Sequence, residues 1–282
     1  MTAIDPVAAA ERPRSRGGSN RARGRSGRIS MPRLIAERIG LVLLVLVAWE
    51  VTARVLDARA IPGVVAVWEA ALTTVPTPAF WAALGATLAG WALGMLIAAA
   101  IGIPAGMLIG ASTIATTMSQ GIVDFLRTVP AIMLVPLVVL LMGSTLEMKV
   151  TLIVIASVWP ILIHARYAIG HVDPVARDSV GVFRVRAVDR VAFLFIPSAA
   201  PLVATGIRVA ATVALMVAIG TEIVTSAPGI GQQILLAQAN SNPARAFVFV
   251  LLSGLLGVVI NLAFAALERR AMFWHAANRR ES

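Results

Sequence analysis

Side chains that could bind a metal or catalyse a reaction are scarce in this chain. The 282 residues include no cysteine, which excludes thiolate nucleophiles, disulfides and cysteine-ligated metals. The three histidines are His164, His171 and His275, and no carboxylate stands beside them at the spacing of a ligand set. No nucleophile and base occur at catalytic spacing either. We therefore expect no metal site, no enzyme active site and no cofactor bound directly by this chain.

The single lysine bears on nucleotide chemistry. A Walker A loop requires Gly-Lys followed by Ser or Thr, whereas Lys149 stands between Met148 and Val150. The glycine-rich residues 228–231 follow no predicted strand, so we interpret them as a turn and not as a phosphate loop. If ATP drives this protein, another subunit must hydrolyse it.

Ionisable residues inside apolar segments are candidates for a transport path, because an unpaired charge in a membrane costs at least about 2.5 kcal/mol. Glu222 lies near the end of an apolar segment. It could line a path or a gate, and an interfacial acid in contact with water is an equally good interpretation. Arg208 is a second candidate for the path, although it could also snorkel to the membrane surface, as could Asp124 and Arg127.

A polar segment from residue 173 to 190 interrupts the apolar sequence and is longer than a turn between two spans needs. Asp173 is a favourable helix N-cap, and Pro174 suits the first helical position. Apolar residues then recur at helical spacing: Val180, Phe183, Ala187 and Val191. We predict one amphipathic helix that lies at the membrane surface.

The composition is that of an integral membrane protein. Apolar residues make up 59% and charged residues 13% of the chain, against about 25% charged in soluble domains. We predict an all-α, polytopic membrane protein with six transmembrane helices, each of roughly 20 residues. The first predicted span begins near residue 34. The second to sixth cover about 84–109, 118–142, 150–167, 193–223 and 246–267.

The predicted organisation is one membrane domain, 34–275, with a core at about 80–268. Residues 1–33 form an Arg-rich tail that we expect to be disordered and held near anionic lipid, with no nucleic-acid partner. A second short tail covers 276–282.

Basic residues predict the orientation of the spans. They concentrate in residues 1–38, 166–190 and 269–280. By the positive-inside rule, both termini and the polar loop lie in the cytoplasm.

Several motifs carry a family resemblance by their order and spacing: Ile103-Pro104-Ala105-Gly106, Val129-Pro130-Ala131-Ile132, Val172-Asp173-Pro174 and Pro197-Ser198-Ala199-Ala200-Pro201. With them, the chain resembles the permease subunits of ATP-binding-cassette (ABC) importers, in the branch for nitrate, taurine and aliphatic sulfonates. That family carries a cytoplasmic Glu-Ala-Ala motif, followed by a glycine and a Leu-Pro pair. Counting back from Pro197 puts Asp178, Ser179 and Val180 at the motif and Arg184 at the glycine.

The resemblance implies a type I importer fold and a set of partners. Loop 173–197 would be a coupling helix that docks on a cytoplasmic ATPase through Asp178, Ser179, Val180, Phe183, Arg184, Ala187 and Pro197. Two ATPase subunits would bind ATP-Mg, and the permease would form a homodimer, or pair with a similar subunit, in the plasma (inner) membrane. An extracytoplasmic solute-binding protein would deliver a small anion such as a sulfonate, taurine or nitrate. The turn that the resemblance implies at residues 182–186 is the elbow of the loop. Arg184 in place of glycine is expected to straighten this elbow.

The alternative is a secondary transporter driven by an ion gradient. Such a protein would carry inverted repeats and charges at the membrane midplane. The charged residues of this chain cluster toward the ends of its spans, which favours the importer.

Overall fold

The computed structural model describes residues 31–56 and 61–272, and within these ranges the chain is helical without strands. By its contacts the chain divides between residues 47 and 48, and residues 61–272 all lie in the second unit. Most of the predicted tail at 1–33 and all of the tail at 276–282 lie outside the described residues. Their disorder and their lipid contacts stay predictions.

Eleven α-helices are described: α1 (Met31–Leu56), α2 (Val64–Thr74), α3 (Pro78–Gly110), α4 (Thr113–Thr128), α5 (Val135–Met142), α6 (Leu146–Gly170), α7 (Pro174–Val182), α8 (Ala187–Arg190), α9 (Ile196–Thr225), α10 (Ile230–Ala239) and α11 (Pro243–Ala271). A 3₁₀ turn, Ala131–Leu134, precedes α5, and a π-helical segment, Val191–Phe195, joins α8 to α9. Several helices start at a capping side chain: Thr77, Ser112, Thr145 and Asn242 each accept a bond from the N–H three residues on.

Length and composition identify four described helical segments that could cross a membrane: α3, α6, the 188–239 segment that contains α9, and α11. The pair formed by α4 and residues 131–142 makes a fifth if it is counted as one span. These segments coincide with the second to sixth predicted spans. The first predicted span coincides with α1, which is not among them, and stays a prediction.

The third predicted span differs from a straight helix, because its two halves meet at a bend of 72°. Pro130 has no N–H to continue the helix, and it forces Val129 into an extended conformation with ψ 114°. The helix therefore ends at Thr128. The break leaves irregular backbone in the middle of a span.

The core lies between α3, α6 and α9. Small residues of α3 face α6. A side chain at Gly94 would collide with Ile153, and one at Gly106 would collide with the carbonyl oxygen of Leu162. Gly206 of α9 approaches His164 of α6 in the same way. Close backbone approach is how helices gain packing energy in lipid, so these three helices form the scaffold that carries the polar groups of the chain.

Candidate functional site

The polar loop begins as the sequence predicts. Asp173 is the N-cap of α7, and its Oδ1 accepts a hydrogen bond from the N–H of Val175 at 2.9 Å. Pro174 occupies the first turn. The Asp173 side chain thereby satisfies one of the free N–H groups at the start of the helix. This hydrogen bond fixes the residue at which α7 begins after the end of α6.

The loop then turns sharply at Arg184. The N–H of Arg184 donates to the carbonyl of Gly181 at 3.1 Å, and the N–H of Val185 donates to that of Val180 at 3.2 Å. This pair of bonds is a Schellman motif, whose key residue adopts the left-handed conformation. Arg184 does so with φ 47°. The expectation that Arg184 straightens the elbow is therefore wrong, because the arginine takes the conformation that a glycine would take.

The elbow also contradicts the prediction of one continuous helix. α7 ends at Val182, and α8 starts only at Ala187. Val180, Phe183 and Val191 therefore do not share one helical face. One left-handed residue is enough to break the periodicity on which that stripe depended.

Exposed apolar side chains occur along the loop, at Val175, Val188 and Phe193 among others, and two of the most exposed are adjacent at its turn. Phe183 is 78% exposed and Val182, its neighbour, is 80% exposed, while Val180 is half-buried. Asp178, Ser179 and Arg184 are exposed, and Pro197 is half-buried at the start of α9. For Ala187 only the backbone is described. The elbow thus presents two large apolar side chains among polar ones.

The loop is tied to the membrane helices on both sides. Nη2 of Arg177 donates to the carbonyl of Ile169 at the end of α6, at 3.2 Å. Its guanidinium carbon lies 5.6 Å from the centre of the Phe195 ring. On the other side, α8 continues through the π-helical segment into α9 without an irregular linker. A force on α8 therefore reaches α9 through helical backbone, and only residues 185–186 separate α8 from the turn at Arg184.

The left-handed Arg184 yields a prediction about stability. Arg184→Gly should stabilise the loop by about 1 kcal/mol, since this conformation costs an L-residue roughly 1–2 kcal/mol and glycine almost nothing. Hydrogen exchange at the amide of Val185 should slow accordingly. Arg186→Gly is the matched control, because it removes the same charge where φ is negative. Equal slowing in both variants would show that charge, and not conformation, is responsible.

Glu222 lies in a second polar cluster, at the opposite end of α9 from the polar loop. Its side chain is fully buried. Oε1 accepts a hydrogen bond from Nζ of Lys149 at 2.7 Å, and Oε2 accepts one from the N–H of Gly231 at 2.9 Å. Thr87 Oγ1 lies 2.9 Å from both carboxylate oxygens. The interpretation of Glu222 as a water-exposed interfacial acid is therefore wrong, because protein groups surround its carboxylate.

Lys149 completes the cluster, which joins α3, α6, α9 and the start of α10. Its side chain is 2% exposed, and Nζ also donates to the carbonyl of Pro228 at 2.8 Å. The glycine-rich turn closes over the carboxylate: Gly229 has φ 156°, and a side chain there would collide with Glu222. The turn predicted at 228–231 thus packs on a carboxylate of the same chain.

Arg208 pairs with Glu268 of α11 through Nη2 and Oε2. The pair links α9 to α11, and the two side chains are 34% and 24% exposed. The structure therefore does not bring Arg208 and Glu222 together. It also places neither of them at the elbow. They belong to different regions of α9.

Sequence reasoning missed the structural partners of Glu222. Lys149 is separated from it by 73 residues and Thr87 by 135. The one available signal was that the only lysine of the chain stands at the start of an apolar span, where a charge requires a partner. In the residues described, no group of three or more potential metal-ligating side chains occurs.

The chain matches known transport proteins. Residues 102–272 match the family described as binding-protein-dependent transport system inner membrane component. The chain is 31% identical to the bicarbonate transport system permease protein CmpB of Synechocystis, over 67% of this chain and 68% of that protein. It is 25% identical to the nitrate import permease protein NrtB of Leptolyngbya laminosa, over 68% and 69%. It is also 25% identical to the taurine transport system permease protein TauC of Escherichia coli, over 87% and 92%.

A solved structure agrees on the fold. The inward-facing MetNI methionine ABC transporter matches with a TM-score of 0.55 and 16% identity, over 68% of this chain and 93% of the matched chain. The apolar helices agree with a multi-pass protein of the inner membrane. The chain therefore belongs to the binding-protein-dependent transport system inner membrane components, the permease subunits of ABC importers.

Proposed function

We propose that this permease couples to a separate cytoplasmic ATPase through the elbow of loop 173–197. The exposed pair Val182 and Phe183 carries this proposal. Two adjacent apolar side chains at the apex of a polar loop suit insertion into a groove of a partner, where burial of each contributes about 1.5–3 kcal/mol. Polar side chains stand near this pair in the loop and would fix the position of the loop in the groove of the ATPase: Asp178, Ser179 and Arg184.

The working unit in this proposal is a homodimer of the permease with two ATPase subunits that bind ATP-Mg. An extracytoplasmic solute-binding protein docks on the opposite face, near α10. Both termini lie on the cytoplasmic side with the elbow, as the distribution of basic residues supports. The permease supplies the path, and its partners supply the energy.

The proposed substrate is a small anion. Relatives are named as permeases for nitrate, bicarbonate, taurine and aliphatic sulfonates. These compounds share a small, planar or tetrahedral anionic group. The solute-binding protein that accompanies the permease selects among them.

Reconstitution in liposomes tests this function. We expect uptake of radiolabelled anion only when the permease, its ATPase, its solute-binding protein and ATP on the side of the ATPase are all present. Uptake by the permease alone under an imposed proton or sodium gradient would contradict the proposal, and it would support a secondary transporter instead.

A further inference from the structure

A cavity of about 360 Å³ lies beside the bent span. It is lined by Arg127, Ala156, Trp159, Pro160, Ile163, His164 and Val213. These residues come from α4, α6 and α9, and the volume falls at the lower end of the range of about 300–1,000 Å³ for ligand pockets. The cavity is separate from both the elbow and the Glu222 cluster.

A broken span and a proline-containing helix meet at this cavity. Arg127 stands in the last turn of α4, just before the break that Pro130 causes. On the facing side, Pro160 lies inside α6 and lacks the N–H that would donate to the preceding turn, although the helix continues through it. Irregular backbone at membrane depth is tolerated only where it is covered by protein or lines a water-filled space.

Arg127 gives the cavity its charge. Its Nε lies 3.1 Å from Oδ1 of Asp124, and the two side chains are 51% and 45% exposed. A guanidinium carries five N–H donors in a planar fork, so a bond through Nε leaves the capacity to bind a second oxyanion. Asp124 is not among the cavity-lining residues. The cation therefore faces a space that its own carboxylate partner does not line.

His164 and Trp159 supply a polar and an apolar wall. Nδ1 of His164 lies 2.7 Å from the carbonyl oxygen of Pro160, so Nδ1 donates. In the neutral ring Nε2 is then an acceptor, which suits a donor group of a solute and leaves the negative charge to Arg127. The contact with Gly206 of α9 limits movement of the histidine. The remaining walls are alanine, valine, isoleucine and the indole, which suit a short carbon chain more than a second charge.

We propose that this cavity is a binding site for a small oxyanion on the transport path, with Arg127 as the group that binds the negative charge. The inference rests on the proposed function and assigns the charge of the substrate to one residue of the permease. A singly charged oxyanion of this size is either a soluble solute or the phosphate of a lipid headgroup. We commit to the soluble solute.

The test is binding to the full-length permease in nanodiscs of neutral phosphatidylcholine. Nitrate, bicarbonate, methanesulfonate and taurine are titrated, and dimethyl sulfone serves as the uncharged counterpart of methanesulfonate. We expect at least one anion to bind and the sulfone not to bind. Arg127→Gln should weaken that binding at least tenfold, and Arg127→Lys should retain most of it because the charge remains.

Asp124→Asn provides a change of opposite sign on the same helix. It removes the carboxylate that competes for Arg127, so binding of the anion should tighten several-fold. Arg54→Gln is the matched control, because Arg54 also pairs with a carboxylate of its own helix, with Nε 2.8 Å from Oε1 of Glu50. The affinity of the Arg54→Gln variant for the anion should stay within twofold of that of the parent.

Several outcomes would overturn the site. They are the absence of binding by all four oxyanion-bearing compounds, equal binding of the sulfone, or unchanged affinity in Arg127→Gln. If the permease binds none of the solutes but is thermally more stable in nanodiscs with phosphatidylglycerol than in those of phosphatidylcholine, the cavity would be assigned to a lipid headgroup instead. Since no ATPase is present in this assay, its failure is distinguishable from failure of ATP-dependent uptake.

Discussion

Phe183→Asp is expected to abolish ATP-dependent uptake while the permease still inserts and folds. Phe183 is 78% exposed at the elbow, so the folded permease loses little packing when it is replaced. In the docked complex, however, the lost apolar burial costs about 2 kcal/mol, equivalent to roughly 30-fold weaker association. Burial of a carboxylate in an apolar groove adds to this cost. Co-purification with the ATPase and uptake in proteoliposomes measure the two effects.

Val175→Asp is the control for Phe183→Asp. Val175 is 72% exposed on the first turn of α7, away from the elbow, and it receives the same charge. Uptake by this variant should remain close to that of the parent. Normal uptake by Phe183→Asp, with the ATPase retained, would remove the elbow from the coupling interface.

Glu222→Gln and Lys149→Met should each destabilise the permease by about 3–5 kcal/mol, because each leaves one charge of a buried pair without its partner. The two side chains are 0% and 2% exposed, and their ion pair measures 2.7 Å. Replacement of both together removes the unpaired charge. The double variant should therefore recover most of the loss, which is the signature of a coupled pair.

Thermal unfolding in detergent, monitored by loss of the monodisperse protein, measures this effect. Glu69→Gln is a suitable control, since Glu69 is exposed on α2 and its replacement should change stability by no more than about 0.5 kcal/mol. Additive losses in the double variant would mean that Lys149 and Glu222 act independently, contrary to their geometry.

Local signals in the sequence predicted much of this fold. Asp173 and Pro174 specify the start of α7 through one hydrogen bond and one fixed dihedral angle, both of which depend only on neighbouring residues. The apolar segments likewise set the second to sixth predicted spans, because the thickness of a membrane fixes how long such a helix must be. Residues 178–180, which the spacing relative to Pro197 selects, lie on α7.

Features that depend on distant contacts or on a single dihedral angle could not be predicted in this way. The partnership of Glu222 with Lys149 arises only when α6 and α9 pack together. The break after α7 depends on Arg184, a residue type that rarely adopts positive φ. The 72° bend followed from Pro130, whose effect on direction a linear sequence does not reveal.

The π-helical segment at 191–195 has a further consequence for how the loop is oriented. Each residue of an α-helix advances the chain by about 100° around the axis, whereas a π-helix bonds five residues apart and advances each residue by less. The side chains before and after this segment are therefore out of angular phase with a single helical wheel. The angular position of the elbow around the axis of α9 therefore depends on this local change of helical winding. It also depends on the number of residues between the elbow and the start of α9.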